Sequence, residues 1–244
     1  MDHLGWETVF YSVWDGQQWS PFNDIVVPGE GIVRHAIAVD AADNLHFVFG
    51  WLTMQHKQAP SNEALSAKAW TLPALVNSRR GTYMKDIAIY QDTLHVLYDD
   101  YGAGNVEGEC PKCADIFYRR SPDRGLTWSE PISLFPTDHI GSARVQIEID
   151  RTGTIYVTWD EGWDRLSDQR TPQKTGVYMY SADGGYTWST PSIISYPNLS
   201  NTQLTVGSNG LGGVILVWRT ESKDYPGIFY MWSEDYGQSW SPPQ

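Results

Sequence analysis

Three octapeptides recur along the chain: SPDRGLTW at Ser121–Trp128, SADGGYTW at Ser181–Trp188 and SEDYGQSW at Ser233–Trp240. All fit S-x-D-x-G-x-[ST]-W, and each is followed by Ser and then, within two residues, Pro. Repetition at a fixed long period confines a chain to folds that use one supersecondary unit several times. Two worn copies keep the period. VFYSVWDGQQWSPF (9–22) retains Ser12, Gly16 and Trp19 with Trp14 in the Asp slot, and EALSAKAWTLPALV (63–76) retains Trp70 and Pro73.

A second phrase falls between these copies: IAVDAADNLHFVFGW (37–51), IAIYQDTLHVLYDDY (87–101), IEIDRTGTIYVTWDEG (147–162) and LTVGSNGLGGVILVWRTE (204–221). Each reads as an apolar strand, a polar turn and an alternating strand. One period therefore holds two hairpins, or four strands, which is the signature of a β-propeller. The expected fold is all-β, a single domain of four-stranded antiparallel blades. It has a half-blade over 1–26 and blades over 27–80, 81–136, 137–196 and 197–244. Three arrangements fit that count: a piece of a longer propeller, a five-bladed ring with one half-blade, and an open arc closed by a second chain through its incomplete blades.

Each residue type in the octapeptide has a structural use. Gly125, Gly185 and Gly237 can take the positive φ of a tight turn. Asp123, Asp183 and Asp235 can accept bonds from turn amides and from the flanking hydroxyls of Ser121, Thr127, Ser181, Thr187, Ser233 and Ser239. Trp128, Trp188 and Trp240 can bury rings between blades. Equivalent sites spread around a ring cannot all face one ligand, so these residues are expected to be structural. The phrase resembles the Asp-box, or bacterial neuraminidase repeat, of the sialidase superfamily, and the repeats cover nearly the whole chain. The resemblance implies a sialidase-like propeller with the boxes on the face opposite the functional site. It does not imply sialidase activity, because Asp-boxes also occur in non-catalytic propellers and in other glycoside hydrolases.

Composition removes other classes. With 17 Lys and Arg against 29 Asp and Glu, the net charge of −12 opposes a phosphate backbone, so no nucleic-acid partner is expected. No apolar run approaches the ~20 residues of a membrane span, and MDHLGWETVF lacks the charge and apolar core of a signal peptide. Cys110 and Cys113 form half of a zinc knuckle with nothing to complete it, so no metal and no cofactor are expected; a local disulfide and a plain loop pair both fit. DAADN at 40–44 fits a hairpin turn better than a calcium loop. Asn198-Leu-Ser200 is a glycosylation sequon with meaning only in a secretory context. His46 and His95 share a repeated slot with Tyr156, which reads as packing.

With the boxes on one face, the long loops gather on the other, where binding residues usually sit. Strand ends there carry Asp99, Asp100, Asp160 and Glu161 as candidate acids or bases, with Tyr225 as a candidate nucleophile. Arg34, Arg144, Arg219 and Glu221 are candidate substrate contacts, the arginines as bidentate carboxylate binders. Trp51, Tyr101 and Trp163 could stack on sugar rings. The bland alternative for each is a solvated loop charge or a packing ring.

The sialidase pattern implies three clamp arginines, an Asp acid/base and a Tyr–Glu pair. Arg34 in GIVRHAIAVD holds the first clamp position with altered neighbours, Arg144 could be the second, and Arg219 matches poorly. Tyr225 lacks a Glu partner. The expected function is therefore a glycan- or protein-binding scaffold module of an extracellular or cell-surface protein, with carbohydrate, including acidic or sialylated glycan, as the leading ligand. An exo-acting sialidase-type hydrolase is the alternative.

Overall fold

The computed structural model describes residues 9–26, 34–50, 53–78, 82–100, 114–136, 141–162, 174–196, 201–220 and 222–244. No α-helix occurs among them. A hairpin of β1 (Val9–Tyr11) and β2 (Asn23–Val26) leads the chain. Next come four-stranded antiparallel sheets of β3 (His35–Val39), β4 (Asn44–Phe49), β5 (Met54–Pro60) and β6 (Ala74–Asn77), then β7 (Lys85–Tyr90), β8 (Thr93–Asp100), β9 (Asp115–Ser121) and β10 (Ile132–Ser133). A third contains β11 (Ser142–Ile149), β12 (Ile155–Glu161), β13 (Thr175–Ser181) and β14 (Ser192–Ile194). The last sheet has three strands, β15 (Asn201–Ser208), β16 (Val214–Thr220) and β17 (Gly227–Ser233).

That last sheet differs from the expected four strands for a local reason. Residues 241–244 do run along β17, with Ser241 N donating to Trp232 O and a reciprocal pair of bonds joining Gln244 and Tyr230. Pro242 and Pro243 have no N–H to donate, so the ladder is interrupted.

Within each sheet the strands run in simple up-and-down order, and the first strands β3, β7, β11 and β15 neighbour one another in turn. This is propeller architecture. Apolar faces interlock between successive sheets: Leu97, Ile116 and Tyr118 meet Val157, Trp159 and Met179, while Tyr156, Tyr178 and Ile194 meet Leu204, Leu216 and Trp218.

The octapeptides act as fasteners. In all three, the Ser Oγ donates to Asp Oδ1 (2.7–2.8 Å) and accepts from the Gly N–H (2.7–2.9 Å). The Asp also accepts the backbone N–H and the hydroxyl of the [ST] residue. These donors hold Asp123, Asp183 and Asp235 at about 2, below the ordinary carboxylate range. Gly125, Gly185 and Gly237 have φ of 91°, 83° and 84°.

Each box also presses on the preceding sheet. A ring from its third strand lies under the box glycine and edge-on to the box tryptophan: His56 under Trp128 (6.0 Å between centroids), Tyr118 under Trp188 (5.0 Å) and Tyr178 under Trp240 (5.3 Å). The tryptophans themselves are half-buried. In the second worn copy, Trp70 meets Tyr11 edge-on (6.2 Å), from a position two residues further along the strand and with no glycine above it. The first copy replaces its missing box carboxylate with Asp15, one residue late, which accepts the N–H groups of Gln17 and Gln18.

The slot of His46, His95 and Tyr156 is buried packing, with polar atoms paired. His46 Nδ1 lies 3.0 Å from His56 Nε2, His95 Nδ1 lies 2.6 Å from the Tyr118 hydroxyl, and Tyr156 donates to Asp150 (2.8 Å). Asp40 of DAADN caps its hairpin turn through the N–H groups of Ala42 and Asn44.

Candidate functional site

Functional geometry gathers where the inner strands begin. β11 carries a bulge, since Ala143 pairs with Asp160 and Gln146 with Thr158, leaving two residues opposite Trp159. β15 repeats it: Thr202 pairs with Arg219 and Thr205 with Val217. The extra residue takes a left-handed conformation, with φ of 58° at Arg144 and 57° at Gln203, and Arg34 just ahead of β3 has φ 59°. A left-handed backbone at three non-glycine residues re-aims their side chains and needs surrounding support.

Asp160 supplies that support at Arg144 and Gln203. It is fully buried and receives Arg144 Nη1 (3.0 Å) and Gln203 N (2.9 Å) on Oδ2, and Leu204 N (3.3 Å) on Oδ1. One carboxylate thus braces the arginine of its own sheet and the bulge of the next. Burial pushes it upward, while the amides and the guanidinium pull it back.

The four strand starts enclose a cavity of about 470 Å³ whose polar lining includes Arg34, Lys85, Asp86, Arg144, Gln146 and Gln203. Arg34 lies 5.8 Å from the ring centre of Tyr83. Lys85 donates to Gly50 O (2.8 Å), and its burial pushes the amine down to about 8. Burial raises Asp86, whose carboxylate accepts Ile87 N (2.9 Å) and Ile147 N (3.0 Å). The lining is net cationic in a chain that is strongly anionic overall.

Arg34 and Arg144 come together here, whereas Arg219 does not. It lies on β16, near the Thr202 hydroxyl (3.5 Å), on the sheet face shared with Ile215 and Val217. Tyr225 is exposed in the turn before β17. The four candidate acids are neither solvated loop charges nor part of the cavity lining, because β8 and β12 extend far enough to bury them. Asp99 accepts Tyr83 N and Met84 N (2.7 Å each), and its burial raises it to about 7. Asp100 accepts from Asn77 (2.8 Å). Glu161 Oε1 accepts Ser142 Oγ (2.7 Å) and Trp159 Nε1 (2.5 Å). Trp51, Tyr101, Trp163 and Glu221 lie outside the described residues, as do Cys110, Cys113 and the Asn198 sequon.

Lys85, Asp86, Gln146 and Gln203 were missed as site residues, although the repeat held a signal for them. Aligned on Ile37, Ile87, Ile147 and Val206, one slot holds Arg34, Met84, Arg144 and Gln203, the next His35, Lys85, Val145 and Leu204, and the third Ala36, Asp86, Gln146 and Thr205. The cavity is built from the first two slots and from Asp86 and Gln146 of the third.

Glu161 makes a pH prediction. Burial raises it to about 7, and Oε2 has no partner among the described residues. A carboxyl raised above its unfolded value contributes stability at low pH that is lost as pH rises through the folded value. Glu161→Gln keeps the Oε1 acceptor, so its urea midpoint relative to wild type will be higher at pH 8.5 than at pH 5. Equal differences at both pH values would show that Glu161 does not titrate in this range.

Known proteins agree with this architecture. Residues 61–244 match the BNR repeat-like domain. No curated protein matches the chain in sequence. Among solved structures, the Hadza microbial sialidase Hz136 is 17% identical with a TM-score of 0.59, over 86% of this chain and 46% of its own. A Dyadobacter fermentans protein of unknown function is 13% identical with a TM-score of 0.65, over 98% of this chain and 71% of its own. The Penicillium chrysogenum α-L-arabinanase complexed with arabinobiose is 14% identical with a TM-score of 0.58, over 87% of this chain and 66% of its own. The chain spans less than half the length of that sialidase, and at these identities the likeness is one of fold. The family match covers most of the chain, including all three intact octapeptides: this protein belongs to the BNR repeat-like domain family.

Proposed function

We propose that this propeller binds carbohydrate in the cavity at the start of its inner strands, and that it favours sugars bearing a carboxylate. The observation that supports this most directly is the convergence of Arg34 and Arg144, from two different sheets, on one cavity of about 470 Å³. A guanidinium offers a planar fork of donors to a carboxylate, and two of them set its orientation. Gln146 and Gln203 supply neutral donors and acceptors suited to sugar hydroxyls. The similarity to glycoside hydrolases supports a carbohydrate ligand, and an extracellular setting, where glycans are displayed, is part of the proposal.

A hydrolytic reading rests on a single observation, the raised carboxyl of Asp86 in the same cavity. The acids at Asp99, Asp100, Asp160 and Glu161 are engaged elsewhere, and binding without turnover accounts for the geometry with fewer assumptions.

Titration calorimetry with N-acetylneuraminic acid and glucuronic acid tests the reading. Arg34→Ala or Arg144→Ala will weaken binding by about 10- to 100-fold, as expected for the loss of one charged hydrogen-bonding partner. Wild-type protein that binds neither acid would reject the proposal, and turnover of a fluorogenic sialoside, abolished by Asp86→Asn, would convert it to the hydrolytic reading.

A further inference from the structure

The two cavity arginines are held by opposite means. Arg144 leans on Asp160, which its guanidinium meets at 3.0 Å. Counted from the residues paired with Ile37 and Ile147, the counterpart of Asp160 in the first four-stranded sheet is Gly50. Gly50 has φ 106°, and a Cβ there would run into the Thr53 carbonyl, so a carboxylate at that position would strain the backbone. Arg34 nevertheless has the same left-handed backbone as Arg144, and a bulky residue in that conformation needs support from its surroundings.

Lys85 reaches this point from the next sheet. It stands on β7 and is 6% exposed, and its ammonium donates to Gly50 O (2.8 Å) and, at 3.4 Å each, to Arg34 O and Tyr83 O. Those three carbonyls belong to the arginine itself, to the residue that follows β4 across the hairpin, and to the ring 5.8 Å from the Arg34 guanidinium. Tyr83 is anchored in turn, since Asp99 accepts its N–H (2.7 Å), and Asp99 is also the neighbouring acid that favours the ammonium. The arrangement inverts the one at Asp160. A buried cation gathers carbonyls here, where a buried anion gathers N–H groups there, and both join two successive sheets.

We infer that Lys85 is a positioning residue, which holds the backbone turn at Arg34 so that this guanidinium faces the cavity beside Arg144. The inference rests on the carbohydrate reading above and deepens it: Lys85 sets selectivity for the sugar carboxylate by acting through Arg34, not by touching the ligand. A forked donor orients a carboxylate only when its own direction is fixed, and an unbraced arginine samples many directions.

Calorimetry with N-acetylneuraminic acid on a double-mutant cycle tests this. Lys85→Met will weaken binding by about 10-fold, the scale of one lost charge-assisted hydrogen bond. Added to Arg34→Ala it will cost nothing further, and added to Arg144→Ala it will cost the same factor again. An equal loss in the Arg34→Ala background overturns the inference, because Lys85 would then meet the ligand directly. So does wild-type affinity in Lys85→Met. Nitrogen relaxation of the arginine Nε–H groups gives a second readout that needs no ligand. Lys85→Met will make the Arg34 signal, assigned by its loss in Arg34→Ala, more mobile and leave that of Arg144 unchanged. If the wild type binds no sugar acid, the carbohydrate reading fails by itself, while an Arg34 signal unaltered by Lys85→Met overturns the positioning role. Should Lys85→Met not fold because Asp99 has lost its counter-charge, the double variant Lys85→Met with Asp99→Asn removes both charges and takes its place.

Discussion

Tyr118→Ala will destabilise the fold by about 3–5 kcal/mol, the usual range for deleting a buried aromatic ring. Tyr118 is fully buried and joins three features of two sheets. Its ring meets Trp188 edge-on at 5.0 Å, its hydroxyl lies 2.6 Å from His95 Nδ1, and the ring fills the space under Gly185. Truncation leaves a cavity between sheets that cannot collapse easily, because the box above is held by its own hydrogen bonds. Tyr118→Phe separates the contributions: it keeps the ring, removes the bond to His95, and should cost about 1 kcal/mol. Urea unfolding monitored by tryptophan fluorescence measures both. A loss below 1 kcal/mol for the alanine variant would show that the box does not fasten adjacent sheets through this ring.

Asp160→Ala will cost a similar amount, about 3–5 kcal/mol, by a different mechanism. The carboxylate receives a guanidinium and two amide N–H groups. Removing it strands those donors in a buried setting, which is the expensive way to break an ion pair. The same change frees Arg144 from its left-handed, braced position, so affinity for an anionic sugar should fall together with stability. Arg144→Ala removes the cation and leaves the amide bonds of Gln203 and Leu204, so it should lose affinity with a smaller loss of stability. If Asp160→Ala unfolds at the wild-type urea midpoint, Asp160 does not brace the two bulges.

The propeller was legible in the sequence because its defining signals are local. The octapeptide needs only Ser, Asp, Gly and a hydroxyl within seven residues to close its own hydrogen bonds, so each copy is recognisable wherever it lies. The candidate acids were less legible. Asp99, Asp100, Asp160 and Glu161 stand at strand ends, where one more strand residue decides between solvent and core, and no short window of sequence fixes that length. The bulges were invisible for a related reason. An extra residue opposite Trp159 or Trp218 is defined by the pairing of two strands, not by the residues in either one.

By itself, the sequence determined the repeated unit, its four-strand period and the structural role of the box aspartates, because all of these rest on contacts within one hairpin. The tertiary structure decided which inner-strand residues meet. Arg34 and Arg144 are 110 residues apart and converge because successive sheets place their first strands side by side, while Arg219 is turned away by its place on the second strand of its sheet. The long-range ordering of sheets also decided which ring lies beneath which tryptophan.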